Sequence, residues 1–129
     1  IPCLYYGSEW GQPGEKAPDN DYALRPCFET PMPNELTEYI KQLIRIRQNS
    51  DALCNGSYKN IIIQNHQLVF ERCSDTERII VAINAADTPY TACHQDLNGN
   101  AKELVAQLEV KLDGQINLPP YSVQYIKFE

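Results

Sequence analysis

From Leu53 to Glu129 the chain is a succession of short strand-like segments, each soon cut off by turn-forming residues. The segments are Ser57–Gln64, Gln67–Cys73, Arg78–Asn84, Thr91–His94, Leu108–Leu112, Gln115–Leu118 and Val123–Phe128. Asn65-His66 and Asp75-Thr76 read as turns between them. Asp113-Gly114, between Val110-Lys111-Leu112 and Gln115-Ile116-Asn117-Leu118, reads as a two-residue hairpin, because such a turn needs positive φ at both central positions. Ala101–Ala106 suits a helical turn or a strand. Many short strands with frequent turns cannot be joined by parallel crossovers, so this stretch is expected to form an antiparallel β-sandwich.

The residues before it do not complete such a fold. Cys3–Tyr6 is a short strand-like run stopped by Gly7. A polar loop follows with Gly11, Pro13, Gly14, Pro18, Pro26, Pro31 and Pro33, a density of breakers that excludes regular structure. A loop of that length in a compact domain is usually functional or poorly ordered. Glu35 to about Asn49 reads as a helix, with Leu36, Tyr39, Ile40, Leu43 and Ile44 spaced i, i+3, i+4, i+7 and i+8 along one apolar face. Asn34 is its expected N-cap. Glu35 and Glu38 near its start, and Arg45 and Arg47 near its end, complement the helix dipole.

A lone strand has no sheet to join, and the helix stripe has nothing to pack on. A larger body is therefore expected beyond the 129 residues, and the first residue, Ile1, agrees with a chain cut from something longer. Alone, the chain is expected to hide its stripe by pairing with a second copy through the helix and the first strand, as a homodimer, or to keep that region mobile.

Composition narrows the partners. Hydrophobic residues make up 43% and charged residues 22%, as in a globular protein. The net charge of -6 disfavours nucleic acid and anionic membranes, whereas a neutral sugar is compatible with it. No apolar run approaches the roughly 18 residues of a membrane span. Cys3, Cys27, Cys54, Cys73 and Cys93 are scattered and His66 and His94 lie apart, so no metal or other cofactor is expected. An odd number of thiols suits reduced, partly buried cysteines and a cytoplasmic location.

Ile1-Pro2-Cys3-Leu4-Tyr5-Tyr6-Gly7-Ser8-Glu9-Trp10-Gly11 resembles the segment around the eighth barrel strand of alpha-amylase-family glycoside hydrolases. The family pattern there is Pro, two residues, Tyr-Tyr-Gly, one residue, Glu, one residue, Gly. Asp21-Tyr22-Ala23-Leu24-Arg25-Pro26 is similar to the Asp- and Arg-containing loop that follows. Leu43-Ile44-Arg45-Ile46-Arg47 is similar to the last barrel helix, and Leu118-Pro119-Pro120-Tyr121-Ser122 to the turn before the last strand. The wording is most similar to cyclomaltodextrinases, neopullulanases and other maltodextrin-cleaving members.

The resemblance implies an α+β fragment. Residues 1–52 are the last strand, active-site loop and last helix of a (β/α)8 barrel, and residues 53–129 an antiparallel Greek-key β-sandwich. It also implies a retaining mechanism on alpha-glucan or maltooligosaccharide, with two carboxyls roughly 5–5.5 Å apart. In the family these lie upstream, so no catalytic residue is assigned and the isolated chain is expected to be inert. Asp21 and Arg25 are the implied sugar-gripping pair, against a plain surface ion pair and with Asp19 as a substitute for Asp21. Trp10 either stacks on a sugar face or wedges the loop. Tyr6 is the remaining pocket residue. The rival reading is a free-standing carbohydrate-binding or interaction module. Against it stand the helix, the lead-in segment and the lack of a clustered aromatic platform.

Overall fold

The computed structural model describes residues 2–129; Ile1, the first residue of the lead-in motif, lies outside the described residues. The chain divides into two compact units, Ile1–Ile44 and Arg45–Glu129.

In the first unit, Cys3–Tyr6 does not form a strand, contrary to expectation, because no neighbouring strand offers hydrogen-bonding partners. Short 3-10 turns occur at Ser8–Trp10 and Tyr22–Leu24, and the rest of the loop is irregular. Helix α1 (Glu35–Gln48) begins after Asn34, as expected. Asn34 Oδ1 accepts from the Thr37 amide at 3.1 Å, and Thr37 Oγ1 accepts from the Asn34 amide at 3.1 Å, so each end of this reciprocal cap satisfies an orphan donor. The apolar stripe forms but is not the buried face its spacing suggested. Leu36, Tyr39 and Ile44 are exposed, and Ile40 and Leu43 half-buried. Residues 2–34 form no element long enough to cover five large side chains.

The second unit carries the short helix α2 (Asp51–Asn55) and strands β1 (Ser57–Ile63), β2 (Gln67–Cys73), β3 (Arg78–Asn84), β4 (Tyr90–Glu103), β5 (Leu108–Leu118) and β6 (Ser122–Phe128). They form one six-stranded antiparallel sheet in the order β1-β2-β3-β6-β4-β5. β1 to β3 run as a meander, β4 and β5 pair as a long hairpin, and β6 returns between β3 and β4.

β3 is apolar on both sides because both of its faces are covered. Ile80 and Ala82 join Val69, Ala92, Leu97, Ile116, Leu118 and Ile126 in one core. Ile79 and Val81 point the other way, to Ala52 and Leu53 of α2. The first core draws on both ends of the sheet, so the sheet is curled over on itself. Lys59 of β1 reaches Asp96 of β4 across the fold at 2.8 Å. Each fully buried aliphatic side chain here contributes about 1.5–3 kcal/mol.

Two further expectations are corrected. Asp113-Gly114 is not a hairpin turn; β5 runs straight through it, and Gly114 keeps its positive φ of 75 within the strand. Opposite it, β4 jumps from Cys93, paired with Gln115, to Asn98, paired with Asp113, so extra residues of β4 bulge out there. The actual turn is Leu104–Gln107, at one end of Ala101–Ala106. Glu103, buried at that end, holds it by accepting from the amides of Val105, Ala106 and Tyr125. The cysteines are also not buried: Cys3, Cys27, Cys54 and Cys93 are exposed and Cys73 is intermediate, all unpaired. Their positions fall on loops, helix ends and outward strand faces, where a small thiol is tolerated without packing.

The start of α2 depends on a carboxylate. Ser50 Oγ accepts from the Leu53 amide at 3.0 Å. Glu77 accepts from Ser50 Oγ and, at 3.1 Å, from the Ala52 amide, while Lys127 Nζ lies 2.8 Å from its other oxygen. Burial by itself would raise the Glu77 carboxyl, but the bonds from Lys127, Ser50 and Ala52 together outweigh it and hold the group below its ordinary range. A depressed folded pKa contributes stability above the unfolded value, near 4.3, and that contribution is lost as pH falls through the folded value. Thermal melts of the wild type between neutral pH and pH 3 are therefore expected to fall more steeply than those of Glu77→Gln. Parallel curves would remove Glu77 from the acid response.

Candidate functional site

The loop of the first unit is built around one glycine and one phenylalanine. Gly7 is buried with φ 85, and a Cβ there would sit 3.1 Å from both Gln12 Cβ and the Phe28 ring, so a larger residue meets both strain and a clash. The chain reverses at this point. Ser8 N donates to Tyr5 O at 3.0 Å and Gln12 N to Gly7 O at 2.9 Å. Phe28 then gathers the aromatics of the lead-in motif. Tyr6 meets it edge-on at 5.9 Å and Trp10 at 5.1 Å between ring centroids. Thr37 Oγ1 donates to Glu9 O at 2.7 Å and Asn34 Nδ2 to Trp10 O at 2.9 Å, tying the turn to the cap of α1. Further along, a Cβ on Gly14 would lie 2.5 Å from Ala23 O, so backbone packs directly on backbone where the loop closes.

This closure leaves an open cleft of about 150 Å³ between the Tyr5–Ser8 turn, Gln12–Gly14, and Ala23, Leu24 and Pro26. Tyr6 borders it, is 44% exposed, and lies 4.5 Å from Tyr5, ring to ring. A hydrogen bond with Tyr5 and partial burial push the Tyr6 phenol above its usual value, while nearby Arg25 pulls it the other way.

Asp21 and Arg25 flank the Tyr22–Leu24 turn. Arg25 Nη2 lies 3.9 Å from Asp21 Oδ2, with side chains 69% and 44% exposed, a loose pair whose free lone pairs and N–H groups face solvent. Neither lines the cleft, and Trp10 does not either. The Trp10 indole packs against Phe28, with Nε1 buried and without a hydrogen-bond partner. Asp19, the substitute for Asp21, accepts from Asn20 Nδ2 at 3.1 Å. The residue that sequence reasoning missed is Phe28. Its only signal was being a large apolar side chain within a Pro-rich loop. Among the described residues no group of three His, Cys, Asp or Glu side chains converges as a metal site would require, and no helix is long and apolar enough to cross a membrane.

Solved structures share this architecture. An alpha-amylase from Anoxybacillus superposes with a TM-score of 0.74 at 24% identity, over 95% of this chain and 28% of that one. AmyP in complex with maltose superposes with a TM-score of 0.67 at 21% identity, over 75% of this chain and 22% of that one. By fold, then, the chain is built like part of each of these two proteins. No family model matches the sequence. Sequence relatives do: cyclomaltodextrin glucanotransferase of Klebsiella oxytoca is 35% identical over 97 residues, 67% of this chain and 14% of that protein. Cyclomaltodextrinase of Thermoanaerobacter pseudethanolicus is 27% identical over 131 aligned residues, 98% of this chain and 22% of that protein. The chain belongs with the alpha-amylase-family glycoside hydrolases, and it spans less than a quarter of the length of these two relatives.

Proposed function

We propose that the chain is the closing part of a retaining alpha-glucan hydrolase. In this reading residues 1–52 end its (β/α)8 barrel and residues 53–129 form the Greek-key β-sandwich that stabilises it. The observation that carries the proposal is the match to cyclomaltodextrinase over 98% of this chain but 22% of the relative, which leaves room for a catalytic body elsewhere. The chain supplies a sugar-binding loop and a structural domain. The acid and the nucleophile belong to the missing barrel, its partner in the same protein. Maltooligosaccharide or a related alpha-glucan is the proposed substrate, and the unpaired thiols suit a cytoplasmic enzyme.

Four side chains of the loop are assigned to substrate. Asp21 accepts from sugar hydroxyls and Arg25 donates to their oxygens, a role for which an exposed, loosely paired carboxylate and guanidinium are well suited. Tyr6 offers an exposed ring at the cleft, and Trp10 supports or extends that aromatic wall. In the complete enzyme, Arg25→Ala is expected to lower kcat/KM on maltooligosaccharides by about tenfold to a hundredfold, the loss of one or two charge-assisted hydrogen bonds. Its melting temperature should be unchanged, because the side chain is exposed. Unaltered kinetics would take Arg25 out of the site.

A further inference from the structure

The sheet has two free edges, and they are not alike. β1 is interrupted by a register shift between Asn60 and Ile62, a feature that blunts an edge against further pairing. β5 keeps unbroken register with β4 from Leu108, opposite Glu103, to Asp113, opposite Asn98. It is the last strand in the order, so no strand of this sheet pairs with its outer side. A straight, uncovered strand of this kind is a template for another.

The side chains along this stretch alternate between faces. Leu108, Val110 and Leu112 share one face; Leu108 is 59% exposed, and the other two are half-buried against the core. Glu109 and Lys111 share the opposite face and are both exposed. If two copies run antiparallel with a twofold axis at Val110, Glu109 faces the partner's Lys111 and Lys111 faces the partner's Glu109. On the other face Leu108 then meets the partner's Leu112. An axis at Glu109 or Lys111 would set like charges directly opposite each other, which is destabilising. An axis at Leu112 would draw Gly114, with φ 75, into the paired run.

We infer that the outer edge of β5 is a self-docking surface, through which two copies of this chain join their sheets about an axis at Val110. The contact is isologous, so it closes at a dimer.

Sedimentation velocity over a dilution series of the 129-residue chain tests this. The wild type should show a concentration-dependent monomer–dimer equilibrium. Lys111→Glu should weaken the dimer about tenfold, since two opposite-charge contacts become two like-charge ones. The double variant Glu109→Lys/Lys111→Glu should restore it, because the swap recreates both pairs in this register alone. Both positions are exposed, so matching thermal melts are expected to show that all variants fold. A chain monomeric at every concentration overturns the inference. So does a dimer indifferent to Lys111→Glu, which would place the contact elsewhere, as on the exposed face of α1. A dimer weakened by Lys111→Glu but not recovered in the double variant also overturns it.

Discussion

Asn84→Ala is expected to cost about 3 kcal/mol of folding free energy, roughly one for each of three backbone groups left without a partner. Asn84 is 1% exposed and uses its whole amide. Its Nδ2 donates to Thr88 O at 2.8 Å and Pro119 O at 2.9 Å, with a longer contact to Leu118 O at 3.4 Å. Its Oδ1 accepts from Gln67 Nε2 at 2.9 Å and the Ala86 amide at 3.1 Å. One side chain thus joins the end of β3, the connection to β4 and the Pro119-Pro120 turn before β6. Alanine leaves the half-buried Ala86 amide and the Thr88 and Pro119 carbonyls without the partner that Asn84 gives them. Denaturant unfolding measures the loss, and a change below about 1 kcal/mol, the value of a single ordinary hydrogen bond, would mean that water replaces the amide.

Leu97→Ala should cost a similar amount, about 3 kcal/mol, from lost burial and the cavity left behind. Leu97 is 0% exposed and lies in the bulged part of β4, where its side chain fills the core between the two sides of the curled sheet. Its neighbour Asp96 binds outward on the same bulge. Its carboxylate pairs with Lys59, and its carbonyl accepts from Arg78 Nη2 at 2.9 Å. The Arg78 guanidinium in turn lies 4.3 Å over the Phe128 ring and bonds Glu71. Plug and clasp come from adjacent residues, so Leu97→Ala should also raise hydrogen exchange in β1. Leu108→Ala, on an exposed position of the same sheet, serves as the comparison and should change stability by less than about 1 kcal/mol. Equal losses in the two variants would show that the bulge does not close the fold.

That bulge marks where local sequence signals stop being sufficient. β2 and β3 follow the sequence reading to the residue, because each is a short apolar or alternating run between two turn signals and its period decides its form. Helix α1 starts where Asn34 and Thr37 can cap each other, a signal contained within four positions. Asp113-Gly114 is different. A residue that tolerates positive φ suits a hairpin turn and an irregularity inside a long strand equally well, and the choice belongs to β4, which supplies the extra residues opposite. β4 itself was read too short because His94–Asn100 is polar and rich in turn formers, while its one buried side chain, Leu97, points into a core that forms only when the sheet curls.

The candidate site divides in the same way. Tyr6, Trp10, Asp21 and Arg25 could be proposed from the sequence because motif wording and residue chemistry are local. Phe28, which supports Tyr6 and Trp10, was missed because both aromatic contacts reach it from distant positions in the loop. The thiols were misplaced for another reason: cysteine's usual preference for the interior says nothing about positions such as Cys54, at the end of a short helix, where the Sγ donates to Arg47 O at 3.1 Å.

The central proposal is that this chain shapes and supports an alpha-glucan site whose reacting carboxylates lie elsewhere in a longer protein. The direct measurement is product release from maltodextrin and a nitrophenyl maltoside by the purified 129-residue chain. Release no faster than the protein-free blank is the expected result. Turnover above the blank that disappears on Glu9→Gln or Asp21→Asn would contradict it, by showing that the chain carries its own catalytic carboxylate.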